Sequence, residues 1–419
     1  MPVELTEGDR SKLNGDHGEA AALAMRIVVE SAGVVGARRL IDVSAAHVDG
    51  CLYHGLAGLE FAERLVAGGA RVSIPTTLNV SSLDLLHPKR GQGDPAAATN
   101  ARRQMNMYVE MGCRPTWTCA PYQLPDRPAF GEHVAWAESN AIAFCNSVLG
   151  ARTDRYGDFI DVCAAIVGRA PLAGLHLDEE RRARLVLRLD GVPRRLLASD
   201  ALYPVLGHLL GREAGTAVAA IAGLPAGTGE DRLKALGAAA ASSGSVAMFH
   251  AVGITPEAPT LQAATGGRKV PVVAVTAERI RAARDELGTA TGEALGAVSV
   301  GTPHASIREL ERLAHLVAER RLVIPLYVNT GRDVLAKAER SEWFASLVAA
   351  GVEIVADTCT YLVPIIEAGP GPVMTDSGKW AWYAPANIGV DVVIGGLEEC
   401  VDSAVAGRVV RDESLWADG

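Results

Sequence analysis

The sequence predicts an α/β protein built from parallel or mixed sheets covered by helices. Two observations carry that expectation. Segments with helical spacing of apolar residues alternate with short β-branched runs along most of the chain, which is how strand–helix–strand units appear in sequence. The composition agrees: of 419 residues, 49% are hydrophobic but only 5% aromatic, and 44 are glycine, so the core has to be assembled from small aliphatic side chains.

The elements follow in order. Ala20 to Val29 reads as a helix, Leu40 to Val43 as a strand, Leu59 to Val66 as a helix and Ala70 to Ile74 as a second strand, together one strand–helix–strand unit. The pattern returns from Val298 to Val355: a strand to Val300, a helix opened by the capping box Ser306/Glu309, a strand at Ile324 to Val328, a helix around Asp333 to Val348, and a strand at Val352 to Val355. A last unit runs from the strand Val390 to Ile394 through Gly395-Gly396 to the helix Leu397 to Val405. Between them the texture changes. Glu180 to Arg188 reads as an Arg-rich helix, Ala214 to Ala222 and Leu233 to Ala241 as Ala/Gly-rich helices, and Ser245 to His250 as a strand. The expected organisation is therefore a first α/β segment over 1–170, an inserted α/β lobe over 171–270 and a second segment over 271–419.

Charge excludes one class of partner. With 40 Lys+Arg against 49 Asp+Glu the net charge is −9, the wrong sign for neutralising a nucleic-acid backbone. No apolar run approaches the roughly 18 to 20 residues that span a bilayer, so no membrane partner is expected. The N-terminal MPVELTEGDR lacks a basic stretch followed by a hydrophobic one, which points to a cytoplasmic protein. Seven cysteines, with no C-x-x-C pair, make a poor disulfide framework. Cys51, Cys113, Cys145 and Cys163, flanked by core-like residues, read as buried thiols.

Ligands in parallel sheets gather beyond the carboxyl ends of the strands. Three predicted strand exits carry unusual polar groups: Ser44, His47, Asp49 and Tyr53; Asp357, Thr358 and Cys359; and Thr375, Asp376, Ser377, Gly378 and Lys379. Cys400 falls in the first turn of the helix after Gly395-Gly396, where the dipole favours a thiolate. Cys119 lies in Thr116-Trp117-Thr118-Cys119-Ala120-Pro121-Tyr122, which the proline marks as a loop. Cys119, Cys359 and Cys400, though distant in sequence, are candidates for a soft-metal site such as an iron–sulfur cluster with one open iron. A second polar stretch, Trp136-Ala137-Glu138-Ser139-Asn140-Ala141, either binds a ligand or closes an internal hydrogen-bond network.

These segments, with Ala45–Tyr53, Pro75–Asn79, Asn146–Thr153, Gly253–Glu257, Ala356–Cys359 and Thr375–Lys379, resemble the aconitase X family in order and over nearly the whole chain. The resemblance implies a multi-lobed aconitase-like fold around a central cleft and a hydro-lyase that eliminates water from a hydroxy acid. It implies an open iron-sulfur cluster (2Fe-2S or 4Fe-4S) or a mononuclear iron held by Cys119, Cys359 and Cys400. One departure stands at Gly301-Thr302-Pro303-His304, where many relatives carry cysteine in place of Thr302, so the cluster type stays open. The family's swivelling small domain is either fused or a separate small subunit; with the chain ending at Gly419, a separate partner chain is expected, and little activity without it.

Elimination needs a base for the proton beside the carboxylate and an electrophile for the departing hydroxide. Lys379 is the candidate for carboxylate binding or proton transfer, with Ser377 as a hydrogen-bonding or proton-transfer group and Glu138 as a third catalytic candidate. Glu138, Ser139 and Asn140 can orient substrate, Arg155 can pair with an anionic substrate and His47 is either functional or structural. A serine base on the small domain is the family alternative. Two substrates are known for the family, cis-3-hydroxy-L-proline and a mevalonate phosphate. His47–Tyr53 and Thr116–Cys119 look more like the hydroxyproline branch, and no phosphate nest is evident, although Arg152 and Arg155 are groups a phosphate would use. A non-catalytic metal-binding scaffold is the expectation from another class, disfavoured by the joint presence of Cys119, Cys359, Cys400 and Lys379.

Overall fold

The computed structural model describes residues 3–88, 90, 94–366 and 371–417. Three parallel sheets organise it, each followed in sequence by helices that cover it. The first has the strand order Thr76–Leu78, Ala46–Val48, Ala135–Trp136; the middle lobe has Phe249–Ala251, Ala219–Ala222, Leu185–Gly191, Val272–Thr276; the last has Glu353–Val355, Leu326–Thr330, Ala297–Ala305, Val373–Thr375, Val392–Ile394. A small antiparallel pair, Leu40–Asp42 with Arg169–Pro171, closes the first lobe. No helix among the described residues is long and apolar enough to cross a membrane.

Several predicted elements move. Leu40–Asp42 is a strand, but it lies outside the parallel sheet, whose first strand is Ala46–Val48. Ala70 to Ile74 is irregular, and pairing begins only at Thr76. The parallel unit is therefore Ala46–Val48, the helix Leu56–Ala67 and Thr76–Leu78. In the middle lobe the Arg-rich stretch is a short 3₁₀ turn, Asp178–Arg181, leading into the strand Leu185–Gly191. Toward its end the strand alternates apolar and charged residues at period two, which fits a strand and not the helix expected there. Ala214 to Ala222 likewise divides into the end of a helix, Leu202–Ala214, and the strand Ala219–Ala222, of which Ala219, Ala220 and Ile221 are buried in a parallel sheet covered by helices. The helix Ile307–Val317 opens with the expected reciprocal cap, Ser306 Oγ accepting from Glu309 N and the Glu309 carboxylate from Ser306 N.

The lobes share cores. One hydrophobic cluster runs from Leu187 and Leu206 of the middle lobe to Val373 and Trp380 of the last. Gly378 permits that contact, because a Cβ there would meet the Pro204 carbonyl oxygen at 2.9 Å and Ala239 Cβ at 2.8 Å. The helix Gly378–Ile388 thus begins against the middle lobe, with its first turn turned toward the ends of the first sheet.

Candidate active site

Loops leaving the first and last sheets meet one another. The segment from Arg114 runs beside Thr76–Leu78, with Arg114 N donating to Thr76 O at 2.8 Å and Thr118 N to Leu78 O at 3.3 Å, and delivers Cys119 just past the sheet. Opposite, Glu353–Val355 exits into Asp357 and Cys359, and Ala297–Ala305 brings His304 between them. Ligand atoms of Cys119, His304 and Cys359 all lie within 4.8 Å of one another, and all three residues are buried.

Backbone conformation is unusual at each of these exits. Trp117 (φ 44°), Glu138 (φ 67°) and Asp357 (φ 71°) all occupy the left-handed region that non-glycine residues avoid. Two of them precede a site cysteine by two residues and the third is itself a site side chain. Strain of order 1–3 kcal/mol apiece persists only where surrounding contacts over-determine it. At Asp357 they do: Arg332 grips the buried carboxylate through Nε at 2.5 Å and Nη2 at 2.7 Å, and Ser81 N donates to Asp357 O at 2.6 Å.

The sulfur pair is electrically asymmetric. Burial raises the Cys119 thiol, but a hydrogen bond from Cys359, the charge of Lys379 and the His304 N–H at 3.3 Å outweigh it, and its pKa falls below the ordinary value. The Cys359 thiol is pushed well up by that same bond and by burial. His304 is held neutral, its pKa lowered by burial to about 4, with Nε2 donating to Thr358 O at 3.1 Å and Nδ1 accepting from Thr118 Oγ1 at 3.0 Å. It stitches the two cysteine loops together.

Lys379 and Glu138 form the second half of the site. The Lys379 ammonium donates to Glu138 Oε1, and both side chains are almost fully buried, at 4% and 5% exposure. Burial pulls the Lys379 pKa down; Glu138 first, then Tyr361 and Cys119, push it well above the usual lysine value, so it is a fixed cation. Glu138 also accepts from Asn140 Nδ2 and from Ala141 N at 2.8 Å, capping the helix Ser139–Phe144. Asn140 Nδ2 in turn reaches Cys119 O at 2.8 Å, which ties the carboxylate to the Cys119 loop.

The remaining predicted residues divide. Ser377 caps the helix Gly378–Ile388, its Oγ accepting from Trp380 N at 3.1 Å, two residues from Lys379. Ser139 Oγ stands 3.5 Å from Glu138 Oε1. His47 lies inside a strand rather than at its exit; it bonds Thr77 Oγ1 at 2.7 Å, and burial lowers its pKa to about 3, so it is a neutral structural partner. Arg155 is exposed and donates to Ser245 O at 2.5 Å, at the seam with the middle lobe, away from the sulfurs. Arg152 is taken up by His176 O and Asp178.

Cys400 lies apart from the other two expected sulfurs. It is buried in a different core cluster, with Met374, Leu397 and Val401, and its thiol is pushed well up by burial and by Asp376 and Glu399. The first turn of a helix favours a thiolate only where the sulfur can reach solvent or a cation, and this one faces carboxylates and apolar groups. His304 was missed because a histidine at the end of an apolar strand has no distinguishing sequence signal. The expected iron-type group fits the pair Cys119/Cys359: two soft donors stand beside a lysine and a backbone N–H that favour sulfur anions.

Comparison with known proteins follows the same outline. The aconitase X first, second and third domain models match residues 2–179, 183–285 and 295–406. The chain belongs to the aconitase X family. It is 46% identical over 415 residues to a cis-3-hydroxy-L-proline dehydratase of Pseudomonas aeruginosa, covering 97% of this chain and 71% of that one. It is 33% identical to the phosphomevalonate dehydratase large subunit of Methanocaldococcus jannaschii, covering 94% of this chain and 98% of that one. Among solved structures, Thermococcus kodakaraensis aconitase X in its holo-form superposes with a TM-score of 0.86 at 34% identity, covering 96% of this chain and all of that one.

Proposed function

We propose that this aconitase X chain, a hydro-lyase by family, is the large subunit of a cytoplasmic enzyme that removes water from cis-3-hydroxy-L-proline. The observation that carries the reading is the buried Lys379–Glu138 pair beside Cys119: a fixed cation for a carboxylate next to soft metal ligands. The greater identity to hydroxyproline dehydratases, 46% and 41% against 33–38%, supports this substrate over a mevalonate phosphate. Arg152 and Arg155, the groups a phosphate would need, are engaged elsewhere.

An iron or iron–sulfur centre held by Cys119 and Cys359 supplies, when bound, a Lewis acid for the departing hydroxide. The chain's own residues do the rest. Lys379 stays protonated and binds the substrate carboxylate; Glu138 anchors it and, through Asn140, fixes its position relative to Cys119. Ser377 orients the first turn that carries Lys379. With Lys379 a fixed cation and Glu138 occupied by three donors, the proton beside the carboxylate leaves to a group outside this constellation, for which a serine of a small swivelling-domain subunit is the proposed source. Loss of that proton and of the 3-hydroxyl yields the cyclic enamine, which tautomerises to the imine, pyrroline-2-carboxylate.

The test is a comparison of substrates. Protein reconstituted anaerobically with iron, together with the small chain, is given cis-3-hydroxy-L-proline or mevalonate 5-phosphate, and mass spectrometry follows the product lighter by one water. Conversion of the amino acid supports the reading; conversion of the phosphate alone overturns it.

A further inference from the structure

Three polar side chains stand in a row where the first sheet ends. Val48 lies opposite Leu78 and His47 opposite Trp136 in parallel register, so Asn79, Asp49 and Glu138 are the next residues outward on adjacent strands. Hydrogen bonds from Asn79 N to Val48 O and from Ala137 N to His47 O, both 2.9 Å, carry the pairing up to them. Glu138 has Lys379. Asp49, its neighbour, has an amide: Asn79 Nδ2 donates to Asp49 Oδ1.

That arrangement lacks a donor. Asn79 is only 2% exposed, and its Oδ1 is buried without a hydrogen-bond partner. Its NH₂ group is directed to Asp49, so the amide cannot turn over to satisfy the oxygen without opposing two acceptors. The strongest charges on Asp49 come from Glu138, Asp158 and Asp161, all acidic; enclosure and this repulsion push its carboxyl up to about 7. A nearby cation would draw it back down. A buried, unpartnered amide oxygen beside a half-buried carboxylate calls for a positively charged group with at least two N–H bonds.

We propose that Asp49 and Asn79 form the subsite for the secondary ammonium of the substrate ring, one N–H going to the Asp49 carboxylate and the other to Asn79 Oδ1. The proposal rests on the hydroxyproline reading. It gives the site a polarity: carboxylate toward Lys379, ring nitrogen toward Asp49, both on one side of Cys119. It also makes Asp49 a residue that a substrate without an amine would not need.

The experiment uses the iron-loaded enzyme with its small chain and two inhibitors of one shape, L-proline and tetrahydrofuran-2-carboxylate, in which oxygen replaces the ammonium. Wild type is expected to bind proline about 10- to 100-fold more tightly, the worth of a charge-assisted hydrogen bond. Asp49→Asn should erase that preference and raise the KM for cis-3-hydroxy-L-proline by a similar factor, with a smaller effect on kcat. Asn79→Ala should lower the preference several-fold, and it serves as the second variant should Asp49→Asn fold poorly. Equal inhibition of wild type by the two compounds, or turnover with unchanged KM and preference in Asp49→Asn, would overturn the subsite while leaving the dehydratase reading intact. Failure of wild type to dehydrate cis-3-hydroxy-L-proline would remove that reading itself, and the subsite with it.

Discussion

Lys379 and Glu138, 241 residues apart, share a proton-bearing contact in a place water does not reach. One comes from the first turn of a helix in the last lobe, the other from a strained strand exit in the first. Their meeting joins the two halves of the site, and it sets a cation beside the Cys119 sulfur.

Removing one partner of such a pair leaves the other buried and unmatched. Lys379→Met is therefore expected to cost about 3–5 kcal/mol of stability and to abolish turnover, whereas Lys379→Met with Glu138→Gln should recover much of the stability and none of the activity. Urea unfolding of the two single variants and the double variant checks this. Additive losses would show that the pair is not coupled.

Iron content separates the cysteines. After anaerobic reconstitution, Cys119→Ala and Cys359→Ala are expected to retain little iron, while Cys400→Ala and Cys145→Ala should load like wild type, since their thiols sit in other cores. Iron loss in Cys400→Ala equal to that in Cys359→Ala would restore the three-sulfur arrangement.

How much of this was legible in the sequence depends on the kind of signal. Ser306 and Glu309 announce their helix because a capping box is local chemistry, and Glu353–Val355 and Val392–Ile394 announce theirs by β-branched runs. Cys119, Cys359, Lys379 and Glu138 could be picked out as unusual residues at element ends, but nothing local says that they meet. Cys400 shows the reverse error: a helix N-terminus is a local signal, and the surroundings that cancel it, Asp376 and Glu399, are not. The middle lobe failed where alanine-rich strands carry no periodicity to distinguish them from helix, as at Ala219–Ala222.

Arg332 holds a strained loop from outside. Asp357 has a side chain with no exposed surface, and Arg332 is 44% exposed, so Arg332→Ala removes a surface side chain but leaves a buried carboxylate unpaired, at a cost of about 1–3 kcal/mol. Because Cys359 lies two residues on, the variant should also lose iron faster on exposure to chelator. Arg332→Lys, lacking the fork, should fall between. Unchanged iron retention in Arg332→Ala would show that the loop needs no such clamp.

His47 should set part of the acid limit. Its folded pKa of about 3 lies below the ordinary histidine value of 6.5, so the unfolded chain takes up a proton that the folded one refuses. The contribution is complete above pH 6.5 and is lost as pH falls toward 3, at roughly 1.4 kcal/mol per pH unit. His47→Gln is accordingly expected to show a shallower decline of unfolding free energy between pH 6 and 4. Parallel declines would mean that His47 is protonated in the folded protein.

The most direct measurement is turnover of cis-3-hydroxy-L-proline by the iron-loaded enzyme and by its Cys119→Ser/Cys359→Ser double variant, prepared identically and with the same small chain. Wild type should release one water per substrate and form pyrroline-2-carboxylate, and the double variant should form none while remaining folded. Equal product from both would contradict the assignment of the two sulfurs to the reaction centre.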